Sequence, residues 1–123
     1  MVEGVLAPPV LARGAFCEDA LTTAVRLGCG QYVLFGVGYD TFPLRCPWPG
    51  LRLFALDRPE VLSDRARRRD RAGLKETCPT VHVPCDLSRE GWQTVLLDGG
   101  FDRRRPAFGS LLGLVYYLIL ISD

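Results

Sequence analysis

The stretch that decides the fold runs from Gln31 to Gly38 and reads QYVLFGVG. Its first five residues form a short run of strand formers without polar alternation, which is typical of a parallel strand covered on both faces. Gly36 and Gly38 then end the strand and let the backbone turn sharply and approach a ligand closely. Alone, this glycine pair indicates either a tight strand-to-helix turn without a ligand or a cofactor site.

Strands and helices alternate on both sides of this stretch. Residues 39–50 contain three prolines, so any helix there is short and ends before Pro47. Elsewhere we predict helices over residues 15–28, 59–73 and 89–98, the last capped by Ser88, and further strands over residues 51–56, 81–85 and 107–112. Alternation of this kind predicts an α/β fold, a Rossmann-like parallel sheet of about four strands with flanking helices. We interpret residues 1–123 as a single partial domain.

Carboxylates follow two of the predicted strands, at the sheet edge where ligands of such folds bind. Asp57 ends the second strand, 21 residues after Gly36, where nucleoside-binding domains place an acid that holds ribose hydroxyls. Asp86 ends the third strand, where its carboxylate could accept from the exocyclic amine of an adenine while Leu87 lies against the ring. The alternative for both acids is helix capping, since a predicted helix follows each of them.

The residues after the glycine pair bear on which nucleoside cofactor fits. A dinucleotide fingerprint has a third glycine three residues after the second, but Thr41 stands there. Asp40 would oppose a pyrophosphate and could favour the ammonium group of a methionine moiety. We therefore expect S-adenosyl-L-methionine rather than NAD or FAD.

Composition and charge exclude several other classes of function. The net charge of +1 gives no global attraction to nucleic acid or to a membrane. Arg65, Arg67, Arg68, Arg69 and Arg71 lie on a predicted helix with Asp64 and Asp70 among them and no aromatic residue, so we interpret them as a solvated helix face. We expect neither a nucleic-acid nor a membrane partner.

The five cysteines form no C-x-x-C pair, and His82 is the one histidine, so no zinc spacing can be assembled. We therefore predict no metal site, a structural role for His82, and reduced, mostly buried thiols in a cytoplasmic protein. The N-terminus lacks a basic segment followed by a long apolar stretch, so we expect no signal peptide. The apolar run from Leu111 to Ile121 is shorter than the roughly 20 residues that span a bilayer, and we interpret it as a buried strand and its exit.

Taken in order, six segments of the chain resemble the bacterial branch of the leucine carboxyl methyltransferase family. These segments are Leu11-Ala12-Arg13 and residues 31–41, 57–61, 83–87, 100–102 and 112–118. The resemblance extends from about residue 10 to residue 118. It implies a class I methyltransferase fold that uses S-adenosyl-L-methionine.

The resemblance also implies a role for each matching residue. Arg13 would pair with the methionine carboxylate of the cofactor, and Gly36 would lie beneath the cofactor. Asp57 would hold the ribose hydroxyls, and Asp86 with Leu87 would hold the adenine. The implied reaction is methyl transfer, to the oxygen of a carboxylate on a small molecule or protein, or to another small acceptor. Tyr116 and Tyr117 could line the transfer site or simply pack.

Two features depart from the family pattern. Many members carry a glutamate near the methionine part of the cofactor where this chain has Leu112. The family sheet has seven strands, whereas we predict four here. The alternative function is therefore a truncated, non-catalytic remnant or fragment that at most binds the cofactor. Such a fragment would leave a sheet edge unpaired and could associate with itself there.

Overall fold

Helices and strands alternate through most of the chain, as its sequence predicts. The computed structural model describes residues 10–11, 15–89, 91–111 and 114–119. Its elements are β1 (Val10–Leu11), α1 (Ala15–Arg26), β2 (Gln31–Phe35), a 3-10 helix (Phe42–Leu44), β3 (Arg52–Asp57), α2 (Pro59–Arg71), β4 (Thr80–Pro84), α3 (Trp92–Asp98), β5 (Pro106–Leu111) and β6 (Leu114–Ile119). None of the described helices has the length and apolar character needed to cross a membrane.

The strands form one sheet in the order β1-β6-β5-β2-β3-β4. β2 lies between β5 and β3 and runs parallel to both, and β4 runs parallel to β3. These four parallel strands with their helices confirm the predicted α/β, Rossmann-like fold class. Phe35 is in register with Leu56, and Asp57 with Pro84, so three strands end at one edge of the sheet. That edge carries the glycine pair and both candidate acids.

Apolar side chains cover both faces of the central strands, as the unbroken apolar character of β2 predicts. Tyr32 and Leu34 point into one core cluster, which includes residues of α1 and α2 and is called the α1–α2 core cluster below. Val33 and Phe35 point into the other, which includes Leu96 of α3 and is called the α3 core cluster. The first cluster also holds a buried hydrogen bond between the Tyr32 and Ser110 hydroxyls, 2.9 Å long. Alternate residues of one strand therefore fix it between two helical layers.

The end of the sequence differs from the prediction. We expected the apolar run after β5 to leave the sheet, whereas residues 114–119 return as β6, antiparallel to β5, with Leu111 opposite Leu114. β1 then pairs antiparallel with β6. The residues LVYYLI of β6 are strand formers, and β5 offers them an edge of unpaired peptide groups. The edges of the described sheet are therefore β1 and β4, and self-association through an edge stays a prediction.

The third helix begins later than predicted. Ser88 does not cap it: the backbone N–H and the hydroxyl of Ser88 both donate to the carboxylate of Asp86. The helix starts at Trp92, after Gly91, whose φ of 98° only glycine adopts readily. Asp86 thus holds the start of the loop between β4 and α3 through Ser88, and α3 begins at the end of that loop, at Trp92.

The prediction that the cysteines are reduced is wrong for two of them. A disulfide joins Cys46, in the loop after the 3-10 helix, to Cys78, just before β4. Both sulfur-bearing residues are 4% exposed and lie in the α1–α2 core cluster. Thr77 ties the same two loops together, since its N–H donates to the Pro43 carbonyl and its hydroxyl to the Cys46 carbonyl, each at 2.9 Å. No local spacing pattern marks a pair 32 residues apart.

Reduction of this disulfide should destabilise the fold. A crosslink that closes a loop of this length restricts the unfolded chain, and its loss is expected to cost about 2–4 kcal/mol. We expect the thermal midpoint to fall on addition of a dithiol reductant, and the Cys46→Ala/Cys78→Ala double variant to unfold at the lower midpoint with or without reductant. Cys85→Ser, which removes a thiol outside the bond, should keep the response. Equal midpoints for oxidised and reduced protein would contradict the crosslink.

Candidate cofactor-binding site

The glycine turn lies against the end of β3. Gly36 and Gly38 have φ angles of 74° and 51°, in the left-handed region that residues with a Cβ rarely adopt. The N–H groups of Gly36 and Val37 both donate to the carbonyl of Leu56, at 2.8 and 3.0 Å. The Val37 side chain is buried in the α1–α2 core cluster. The turn thus packs against β3 and the core, and because its two glycines have no side chain, a ligand could approach the backbone closely there.

Asp57 holds this turn directly. Its Oδ2 accepts the N–H of Gly38 at 2.9 Å, and its Oδ1 accepts the N–H of Arg58 at 2.8 Å. Arg58 is itself the N-cap of α2 and has no side-chain cap, so Asp57 does not act as the helix cap that the alternative interpretation supposed. Each carboxylate oxygen has further lone pairs, which leaves the side chain able to accept from ligand hydroxyls as well.

Asp86 and Leu87 lie one strand further along the same edge. Ser88 lowers the pKa of Asp86 by hydrogen bonding, so this partly exposed acid is a carboxylate at neutral pH. The Leu87 side chain is half-buried against the α3 core cluster. Cys85 lies near both acids: its N–H donates to the Asp57 carbonyl at 2.9 Å, and burial, then the charges of Asp57 and Asp86, raise the pKa of its thiol.

Tyr39, directly after the glycine pair, contacts α2 in a way that the sequence did not predict. The phenol of Tyr39 donates to Oδ2 of Asp64, and the guanidinium of Arg68 lies 5.1 Å from the centre of the Tyr39 ring while also bonding Asp64. These partners, Tyr39 first, lower the pKa of Asp64 to about 2. A tyrosine directly after the glycine pair, with an acid in the following helix, is too general a pattern to predict this contact.

Arg65 corrects the prediction of a solvated arginine face. Its side chain is buried, 8% exposed, and its Nη1 donates to the Gly38 carbonyl at 3.1 Å. Arg67, Arg68 and Arg71 are exposed, as predicted. The helical spacing could have predicted that Arg65 is buried. Leu62, three residues before it, packs against the core, and residues three apart lie on the same side of a helix.

Several other predicted residues fall outside the part of the chain that the structure describes. Arg13 and Leu112 lie outside the described residues, and the side chains of Tyr116 and Tyr117 do as well. In the described part of the chain, no three or more His, Cys, Asp or Glu side chains group as they would around a metal ion. His82 lies on β4, where its Nε2 is 2.7 Å from Oε2 of Glu76.

The described site therefore presents acceptors rather than donors. The N–H groups of Gly36, Val37 and Gly38 are all taken by β3, and that of Asp40 by the Val37 carbonyl at 3.0 Å. Residues 36–51, all of them described, contain the 3-10 helix and no α-helix. The N–H groups of residues 36–38 and 40 are thus not free to cradle a phosphate, and no α-helix starts in residues 36–51. Two carboxylates at the strand ends suit hydroxyl, amine and cationic groups.

The fold is that of an α/β protein whose strand-end acids lie at the sheet edge where ligands of such folds bind. Comparison with known proteins makes this more specific: the sequence model of the family described as "Leucine carboxyl methyltransferase" matches residues 3–119. The chain belongs to the leucine carboxyl methyltransferase family. This confirms the resemblance on which several of the predictions rest.

Individual relatives agree with the family. A Mycobacterium marinum protein is 39% identical over 113 residues, 91% of this chain and 36% of its own length. A Frankia alni protein is 38% identical over 112 residues, 89% of this chain and 38% of its own length. The name of each contains "Putative S-adenosyl-L-methionine-dependent methyltransferase". The chain spans little more than a third of the length of these relatives.

Loss of the Tyr39 hydroxyl should change the titration of Asp64. In Tyr39→Phe we expect the pKa of Asp64 to rise from about 2 toward its ordinary value of 3.8, because the first of its stabilising partners is gone. In the native protein this acid stabilises the fold fully above pH 3.8, and that contribution is lost as the pH falls through about 2. Carboxyl carbon chemical shifts measure both titrations. The Asp86 titration, which depends on Ser88, should not move, and an unchanged Asp64 would contradict the contact.

Proposed function

We propose that this chain forms the cofactor-binding part of an S-adenosyl-L-methionine-dependent methyltransferase. The observation that carries the proposal is the hydrogen bond between the Gly38 N–H and Asp57, which joins the glycine turn and the candidate ribose acid at one sheet edge. Family membership and the names of the relatives support the same cofactor.

The chemistry of the described side chains fits the parts of this cofactor. Asp57 keeps lone pairs for two ribose hydroxyls, and Asp86 is ionised and partly exposed, so it can accept from the adenine amine. Leu87 offers an apolar surface beside it for the ring. Arg13, which the family resemblance assigns to the cofactor carboxylate, would complete the set. A dinucleotide fits less well because the N–H groups of residues 36–38 are already hydrogen-bonded.

When bound, the cofactor supplies an electrophilic sulfonium methyl group. The residues of this chain would bind and orient the cofactor so that an acceptor oxygen lines up with the methyl carbon and sulfur, and such alignment provides much of the catalysis. We propose a carboxylate as the acceptor, on a small molecule or a protein. A carboxyl group is ionised at neutral pH, so its oxygen would attack the methyl carbon without a general base. As the new oxygen–carbon bond forms, the bond from that carbon to sulfur would break, and the sulfur would leave as a neutral thioether.

Cofactor titration by calorimetry on the 123-residue chain tests the proposal. We expect saturable binding of S-adenosyl-L-methionine and no binding of NAD. Asp57→Ala and Asp86→Ala should each weaken binding about tenfold or more, because each removes a hydrogen-bond acceptor that is charged. Asp98→Ala is the matched control, since Asp98 is an exposed acid at the end of α3, and it should bind as the native chain does.

Unfolding midpoints separate binding from folding in these variants. Asp57→Ala also loses the bond to Gly38, so its midpoint is expected to fall. Asp86→Ala loses its two hydrogen bonds from Ser88, but these are exposed, so its midpoint is expected to fall less. A cooperatively folded native chain that binds no S-adenosyl-L-methionine would refute the proposed function. So would binding that neither variant weakens.

Methyl transfer to a carboxylate has its own signature. With tritium in the cofactor methyl group, we expect the chain to label carboxylic acids as methyl esters, which base hydrolyses to volatile methanol. Asp86→Ala should label more slowly at subsaturating cofactor. Tight cofactor binding without label in any carboxylate would contradict ester formation and favour the non-catalytic, cofactor-binding alternative.

A further inference from the structure

Arg65 is a buried charge that the proposed chemistry does not use. It lies in the middle of α2, with 8% of its surface exposed. Taking a guanidinium out of water costs several kcal/mol unless charges and acceptors compensate it, so an apolar residue at such a place is often as stable or more so. Its Nη1 donates to the Gly38 carbonyl at 3.1 Å. Burial lowers the pKa of the Arg65 guanidinium, and the charges of Asp40 and Glu76 oppose this by favouring the charged form.

The two polar groups of the Gly38 residue are thereby held by two opposite charges. Its N–H donates to the Asp57 carboxylate, and its carbonyl accepts from the Arg65 guanidinium. Hydrogen bonds of this kind, with an ionised partner, are about twice as strong as neutral ones. Asp57 comes from β3 and Arg65 from α2, so the turn is fixed from two independent elements. The φ of 51° at Gly38 is a conformation that a glycine leaves easily without such restraint.

We propose that Arg65 is a positioning residue for the cofactor site: it holds the Gly38 carbonyl and so preforms the glycine turn before the cofactor binds. The inference rests on the proposed function. Arg65 touches the turn from the α2 side, whereas the candidate ligand groups Asp57, Asp86 and Leu87 follow the strand ends. It acts through the backbone of Gly38 and is not itself a cofactor ligand.

A preformed turn strengthens binding because no free energy is spent on ordering it. If only a fraction of molecules has the turn in place, the apparent dissociation constant rises by the inverse of that fraction. Removing one charge-assisted hydrogen bond lowers the equilibrium constant for forming the turn roughly ten- to hundredfold. The population of the formed turn falls by the same factor where the unformed turn becomes the major state. The effect should appear in the free protein as loosening of Gly38 and in the complex as weaker affinity.

The test compares three variants in two measurements. Arg65→Met keeps most of the apolar stem and removes the donor, Arg65→Lys keeps the charge and a donor, and Arg71→Met is the matched control on the exposed side of the same helix. Hydrogen exchange of the Gly38 amide, relative to the Val33 amide inside β2, reports the turn in cofactor-free protein. Calorimetry reports the dissociation constant for S-adenosyl-L-methionine.

We expect Arg65→Met to speed Gly38 exchange relative to Val33 and to raise the dissociation constant, by up to the roughly ten- to hundredfold that one charge-assisted hydrogen bond allows. Arg65→Lys should recover part of both losses, and Arg71→Met should match the native chain. A purely structural role would change both amides together and would not be rescued by lysine. If Arg65→Met does not fold, Arg65→Gln, whose neutral amide reaches less far, is measured in the same way.

The outcomes separate this inference from the proposed function. Native-like Gly38 exchange and affinity in a folded Arg65→Met or Arg65→Gln would overturn the positioning role and leave the cofactor site standing. A native chain that binds no S-adenosyl-L-methionine would overturn the proposed function and with it the role of Arg65 in cofactor binding. If the native chain binds no cofactor, faster Gly38 exchange in Arg65→Met would still show that Arg65 restrains the turn, because hydrogen exchange is measured without cofactor.

Discussion

The hydrogen bond from the Gly38 N–H to the Asp57 carboxylate is the contact on which the candidate site depends. It connects the turn after β2 to the last residue of β3, and its 2.9 Å length is that of a good charge-assisted bond. The Leu56 carbonyl, which accepts two further N–H groups of the turn, brings the backbone within reach. If the turn moved away from β3, the buried guanidinium of Arg65 would lose its hydrogen bond to the Gly38 carbonyl.

The sequence predicts the central strands and their connections well because their signals are local. β2 has the predicted bounds, Gln31–Phe35, since an apolar run ends at a glycine pair. α2 begins at Pro59, whose fixed φ and missing N–H suit the first helical position. The contact of Asp57 with the turn follows from the same logic, because parallel neighbours end at one edge and their terminal residues meet there.

What the sequence does not predict depends on contacts between distant residues. β6 forms because β5 has an edge to pair with, and the apolar run alone did not reveal that it turns back. The Cys46–Cys78 bond needs two loops to meet that are far apart along the chain. The contact of Arg65 is also only partly predictable. Its spacing from Leu62 indicates that it lies on the inner side of α2, but its hydrogen-bond acceptor is the Gly38 carbonyl, in the turn after β2.

The hydrogen bonds that the glycine turn already makes limit which ligands it can bind. A turn that binds phosphate presents free N–H groups, often at the start of a helix, and gathers positive charge around them. Here β3 takes those N–H groups, and the acid that takes one of them, Asp57, would repel a phosphate placed beside it. Arg65 contributes a positive charge, but its Nη1 donates to the Gly38 carbonyl. A glycine pair in this setting fits the proposed nucleoside, which supplies hydroxyl donors, better than a pyrophosphate, which supplies none.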